Sequence, residues 1–138
     1  MGDPEAEPDL DLDIAEALGA AEDPGSQVLT VYVPDKDRED REYGEQRKWV
    51  LAFAELLNKI GGGVTVMPPA EGGWFDEENQ RAIWERTVLV YTYIRPKSFR
   101  DRLPDLRALL RRFGRETGQG EVVVEFDGDF YRIRQYDS

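Results

Sequence analysis

Two short segments hold residue types able to grip or transform a small molecule. "EGGWF" offers Glu71, Gly73 and Trp74, and "GRETGQGE" offers Arg115, Glu116, Gln119 and Glu121. Glu85 lies between them in sequence. Glycines let a backbone approach a ligand closely, a tryptophan gives a stacking surface, and an arginine gives a planar donor fork. Paired carboxylates such as Glu85 and Glu121 could hold Mg²⁺ or act as acid and base. Alternatively, Arg115 could pair with Glu71 or Glu85 while Trp74 plugs the end of the core.

Composition narrows the chemistry. The 138 residues include no cysteine and no histidine. Disulfides, Cys/His zinc sites, thiol nucleophiles and histidine general bases are thereby excluded. The three serines, Ser26, Ser98 and Ser138, have no G-x-S-x-G setting, and "GGGVT" lacks the lysine of a P-loop. Catalysis would fall to carboxylates, Tyr, Lys or Arg, with or without a hard cation. No motif calls for a cofactor or a metal. The apolar runs are too short to span a bilayer and no leader is apparent, so a cytoplasmic, non-membrane protein is expected.

The formal charge of -11 is unevenly spread. Residues 1–26 carry nine acids and no base, so this segment is expected to be an acidic disordered tail. Within it Leu10, Ile14 and Leu18 fall at helical spacing and could dock on a protein partner. Residues 27–138 are expected to form one domain, nearly neutral in charge.

The elements that would position the candidate residues follow from periodicity. "QVLTVYV" alternates and reads as a strand. Trp49, Val50, Phe53, Leu56, Leu57 and Ile60 make a helical stripe over about 43–60, with Gly61 in the place of a C-terminal cap. "GVTVMP" reads as a second strand, "AEGGWFDEENQRAIW" as a long connection, and "ERTVLVYTYI" as a central strand. A second helix follows, with Phe99, Leu103, Leu106, Leu110 and Phe113 as its stripe and Ser98 with Asp101 resembling a capping box. Pro104 predicts either a kink or a separate first turn. "GEVVVEF" and "DFYRIR" flank Asp127-Gly128, a hairpin signal.

This β-α-β-β-α-β order predicts an α+β, ferredoxin-like antiparallel sheet with an extra C-terminal hairpin strand. In that topology "PDKDREDRE", "PPAEGGWFDEENQ" and "GRETGQG" emerge at one end of the sheet, gathering the candidate residues. The face away from the helices would carry Tyr91, Tyr93 and Thr30 or Tyr32, an apolar surface that predicts a homodimer through the open face. From Arg95 to Arg115 eight bases outnumber two acids. Arg100, Arg107, Arg111 and Arg112 thus form a basic surface, able to meet nucleic acid or the acidic tail, although nucleic acid is the less favoured partner.

"KWV", "GGGVTVMPPAEGGWF", "RTVLVYTYI" and "RRFGRETGQGEVVVEFDGDFYRI" together resemble an uncharacterised family of small bacterial proteins, with GG-x-T, Gly-Gly-Trp and GRE-x-x-QGEV segments. The resemblance covers about residues 27–135. It implies no activity and marks Gly73, Trp74, Arg115, Glu116, Gln119 and Glu121 as its shared positions. The expectation from sequence is a non-enzymatic accessory or regulatory protein, binding a partner or small ligand at the loop end. The alternatives are a carboxylate-based enzyme, metal-dependent or not, on a small molecule or nucleic acid, and a nucleic-acid module using the basic helix.

Overall fold

The computed structural model describes residues 12–21 and 25–137. In chain order the elements are α1 (Ile14–Leu18), β1 (Val28–Pro34), α2 (Gln46–Gly61), β2 (Thr65–Val66), β3 (Ala70–Asp76), β4 (Arg81–Tyr93), α3 (Pro96–Thr117), β5 (Val122–Phe126) and β6 (Asp129–Ile133). The strands form one antiparallel sheet in the order β2-β4-β1-β5-β6, with β3 also paired to β4. Setting β3 aside, this is the α+β ferredoxin-like arrangement the sequence predicts, with β6 extending the edge beside β5.

Val31 sits at the centre of the sheet, paired with Val90 on one side and Val124 on the other. Alternation sends Leu29, Val31, Val33, Val88, Val90, Val122 and Val124 to the face covered by α2 and α3, where all are buried. The six-residue stripe of α2 is buried against them. Phe113 of α3 meets Tyr43, Trp49 and Phe53 edge-on, with ring centroids 5.4 to 6.1 Å apart. Each such pair adds about 0.5–1.5 kcal/mol beyond area burial.

Several expectations are corrected. The "long connection" is a hairpin: β3 and the first half of β4 pair from Ala70↔Thr87 to Asp76↔Arg81. Its turn is closed by Asp76, whose carboxylate accepts from the main-chain N–H groups of Glu78 and Asn79 and from the Asn79 amide. Pro68 and Pro69 separate β2 from β3, and both strands lie along the same edge of β4. Helix α3 starts earlier than expected, at Pro96, where a missing N–H costs nothing. Its N-cap is Arg95, so no Ser98 capping box forms, and Asp101 pairs with Lys97 instead. Pro104 is accommodated inside this continuous helix on its exposed side, and Leu103 is exposed rather than part of the stripe.

In the acidic N-terminal segment, residues 14–18 form a one-turn helix. Asp13 caps it by accepting from the Glu16 N–H, and Gly19 closes it in the left-handed region. None of its residues is buried. The remainder of the expected tail, 1–11 and 22–24, lies outside the described residues. Among the described residues no helix is long and apolar enough to cross a membrane.

Candidate functional site

β1 ends at Pro34, opposite Thr87, whereas β4 begins six residues earlier, at Arg81. The β3–β4 hairpin therefore runs on past the end of β1 as an arm. Loop 35–42 fills the vacated edge of β4. The Asp35 carboxylate accepts from the Arg86 N–H (2.9 Å), and Lys36 Nζ donates to the Trp84 carbonyl (3.0 Å) and to Asp40. The α3–β5 loop closes the third side, because Gln119 Nε2 donates to the Lys36 carbonyl (2.9 Å) and the Arg38 N–H donates to the Gly118 carbonyl (3.1 Å).

Between arm, loops and open sheet face lies a cleft of about 630 Å³, a size suited to a small-molecule ligand. Its floor is sheet: Tyr32, Leu89, Val123 and Phe130. Tyr32 is fixed there by donating to Glu125 (2.8 Å) and by an edge-on contact with Phe130. The arm contributes Glu71, Gly72, Gly73, Trp74 and Glu85, and the loops contribute Asp37, Arg38, Gln119, Gly120 and Glu121. Four carboxylates thus face one arginine, among aromatic rings.

The carboxylates differ in their commitments. Asp37 accepts from the N–H groups of Glu39 and Arg41 and holds its own turn. Glu121 pairs with Arg134 (3.2 Å) and Arg132 (3.8 Å). No salt bridge among the described residues engages Glu71 or Glu85. Burial, followed by the charge of Asp35, raises the Glu85 carboxyl to about 7; Lys36 opposes this in part, and Asp40 adds a lesser push upward. Glu85 therefore titrates near neutrality in the wall of the cleft. Among the described residues no group of three or more carboxylates is arranged to hold a metal ion.

Six of the residues singled out from sequence line this cleft: Glu71, Gly73, Trp74, Glu85, Gln119 and Glu121. Arg115 and Glu116 do not. Arg115 Nη1 donates to the Tyr136 carbonyl (3.0 Å), and Glu116 pairs with Arg112 (3.0 Å). The basic surface is likewise partly spent inside the chain. Arg111 donates to the Asp137 carbonyl, and Arg112 also lies over the Trp49 ring, whereas Arg100 and Arg107 stay exposed. Sequence reasoning treated the loop end and the open face as separate candidates, and they form one cleft. It passed over Arg38 and Phe130. The hairpin register would have found Phe130, since Asp127-Gly128 sets it opposite Glu125 on the open face.

Two solved structures share this fold. One is a phage SAM lyase in complex with S-methyl-5′-thioadenosine, with a TM-score of 0.56 over 80% of this chain and 90% of that chain. The other is a phage SAM lyase in the apo state, with a TM-score of 0.57 over 83% and 94%. Both are 16% identical to this chain. No protein-family model matches the chain, and no curated protein matches it. The likeness corrects the expectation of a non-enzymatic accessory or regulatory protein, because the two chains it matches are those of an enzyme, a phage SAM lyase.

Proposed function

We propose that this chain is a lyase that binds S-adenosylmethionine in the cleft and releases S-methyl-5′-thioadenosine. The observation that carries the reading is the make-up of the cleft: among the described residues its lining holds one arginine and four carboxylates, of which Glu71 and Glu85 enter no salt bridge, together with aromatic rings, in a fold shared with phage SAM lyase. Such a surface suits a sulfonium cation, which both anions and aromatic faces attract.

The chemistry fits a chain without histidine or cysteine. Release of the methylthioadenosine half requires the bond between sulfonium sulfur and methionyl Cγ to break. The substrate's own carboxylate can attack Cγ as that bond breaks. An O–Cγ bond forms, the electron pair of the C–S bond goes to sulfur, and the products are a neutral thioether and a five-membered lactone bearing the ammonium group. No proton moves, so the protein need supply neither nucleophile nor base. Its task is to fold the methionyl chain so that carboxylate oxygen and Cγ meet, and to exclude water, which strengthens the attraction between the reacting charges. Trp74, Tyr32 and Phe130 offer surfaces for the adenine, Arg38 a counter-charge for the carboxylate, and Glu71 with Glu85 a counter-charge for sulfonium and ammonium.

The test is incubation with S-adenosylmethionine in ¹⁸O-water, followed by mass spectrometry. Intramolecular attack gives S-methyl-5′-thioadenosine and a lactone whose ring oxygen carries no label. Direct attack of water on Cγ, the task a carboxylate such as Glu85 could assist, would place ¹⁸O in the γ-hydroxyl of homoserine and replace the lyase reading with a hydrolase. No consumption of the substrate and no binding of either nucleoside would reject both.

A further inference from the structure

The C-terminal segment does not end at β6. It returns across α3, and its contacts converge on one wall of the cleft. Arg111 and Arg115, one helical turn apart on α3, donate to the main-chain carbonyls of Asp137 (2.7 Å) and Tyr136 (3.0 Å). Between them the Tyr136 ring lies against Gly114, where a Cβ would come within 2.3 Å of it. The Tyr136 hydroxyl then donates to the Gln119 carbonyl (2.8 Å). Burial, and secondarily Glu121, raises the Tyr136 hydroxyl above its ordinary value, so it remains a neutral donor at neutral pH.

Gln119 is itself buried and held through its main-chain groups and its side-chain N–H donors. Its N–H donates to the Gly114 carbonyl, and its side-chain amide donates to the Lys36 carbonyl and to Thr117 Oγ1. Through Lys36 it is coupled to the loop that brings Asp37 and Arg38 to the cleft. Arg134, at the start of the same segment, pairs with Glu121.

We propose that residues 134–137 are a latch that sets the 118–121 wall of the cleft, with Tyr136 as the positioning residue acting through Gln119. The proposal rests on the cleft being the substrate site, as argued above. Tyr136 touches no ligand in this scheme. Its hydroxyl fixes the height of the Gln119 carbonyl, and with it the spacing between Glu121 and the Asp37–Arg38 pair.

Tyr136→Phe keeps the ring on Gly114 and removes only the hydroxyl. Arg115→Met keeps the stem and removes the donor to the segment. Both are measured for S-adenosylmethionine turnover, for binding of S-methyl-5′-thioadenosine, and for amide hydrogen exchange at Arg38 and Gln119 without ligand. The latch predicts that Tyr136→Phe raises KM and the Kd for the thioadenosine about three- to tenfold, the worth of one hydrogen bond. It predicts kcat within about twofold of wild type and faster exchange at both amides in both variants. A merely structural tyrosine would leave KM unchanged, and that result in an active enzyme overturns the latch whatever the exchange shows. Should the wild-type protein neither consume the sulfonium nor bind the thioadenosine, the functional reading fails separately. Exchange alone then decides the latch: faster exchange at Arg38 and Gln119 supports it, and unchanged exchange overturns it.

Discussion

Gly61 and Thr92 touch where the end of α2 meets β4: a Cβ on Gly61 would stand 1.8 Å from Thr92 Oγ1 and 2.5 Å from the Tyr93 carbonyl. Gly61 is the last residue of α2, and the left-handed cap expected of it belongs to Gly62, at φ 79°. What requires glycine at 61 is proximity. The Thr92 hydroxyl donates to the Gly63 carbonyl, tying the turn after the helix to the strand that also carries Glu85. Gly61→Ala must therefore push backbone apart and is expected to cost about 2–4 kcal/mol, within the range of overpacking and lost buried bonds. Gly63→Ala meets open space and should lie within about 1 kcal/mol of wild type. Urea unfolding of the two variants checks the contrast.

Glu85 gives a pH-dependent prediction. Its carboxyl stands at about 7 in the folded chain against an ordinary value of 4.5. The folded state thus holds this proton more tightly than the unfolded state does. Its contribution falls as pH rises from about 4.5 through about 7, where charging an enclosed carboxylate beside Asp35 and Asp40 opposes folding. Glu85→Gln should match wild type near pH 4 and exceed it at pH 8, by at most about 3 kcal/mol. The same ionisation adds a negative charge to the cleft. KM for S-adenosylmethionine should then fall as pH rises through about 7 in wild type and stay flat in Glu85→Gln. Denaturant titrations and a pH profile of kcat/KM measure the two effects, which have opposite signs in pH.

The fold was legible wherever one periodicity ran unbroken. The stripe from Trp49 to Ile60 defined α2, and Asp127-Gly128 defined the β5–β6 turn, both residues having positive φ. The β3–β4 hairpin was hidden for a physical reason. Gly72 and Gly73 are poor strand formers taken alone, and "DEEN" reads as solvent-exposed loop. Only the partner strand shows why Gly73 is there, since the Trp84 ring fills the space its side chain would occupy. Pro104 misled in the opposite direction, because a proline on the exposed side of a helix leaves the carbonyl four residues back, that of Arg100, on the solvent side where water can meet it. At the site, spacing could gather Glu71, Trp74, Glu85, Gln119 and Glu121 at one end. It could not tell that Arg115 is taken by the chain's own Tyr136 carbonyl.

Trp74 projects from the arm at the mouth of the cleft, 40% exposed. It contributes little to the core, so Trp74→Ala should leave stability within about 1 kcal/mol of wild type. Stacking of a base on an aromatic ring is worth about 1–3 kcal/mol by alanine substitution. Trp74→Ala is therefore expected to weaken S-adenosylmethionine and S-methyl-5′-thioadenosine alike, by about five- to a hundredfold. Calorimetric titration with the two nucleosides reads this directly. A loss confined to one of them would remove Trp74 from the adenine.

Arg38 should separate the two halves of the substrate. Among the described residues it is the one cation lining the cleft, its side chain is 67% exposed, and it meets Glu39 at 3.9 Å, in a contact too long and too wet to hold it. The methionyl carboxylate is the group such a side chain recognises by two parallel hydrogen bonds. S-methyl-5′-thioadenosine has no carboxylate. Arg38→Ala is therefore expected to raise KM for S-adenosylmethionine about tenfold or more and to leave the affinity for the thioadenosine within about twofold. Arg38→Lys, which keeps the charge and loses the fork, should recover the KM only in part. Equal losses for both nucleosides would mean that Arg38 meets the adenosyl half or shapes the loop, and the carboxylate would then have to find its counter-charge elsewhere in the cleft.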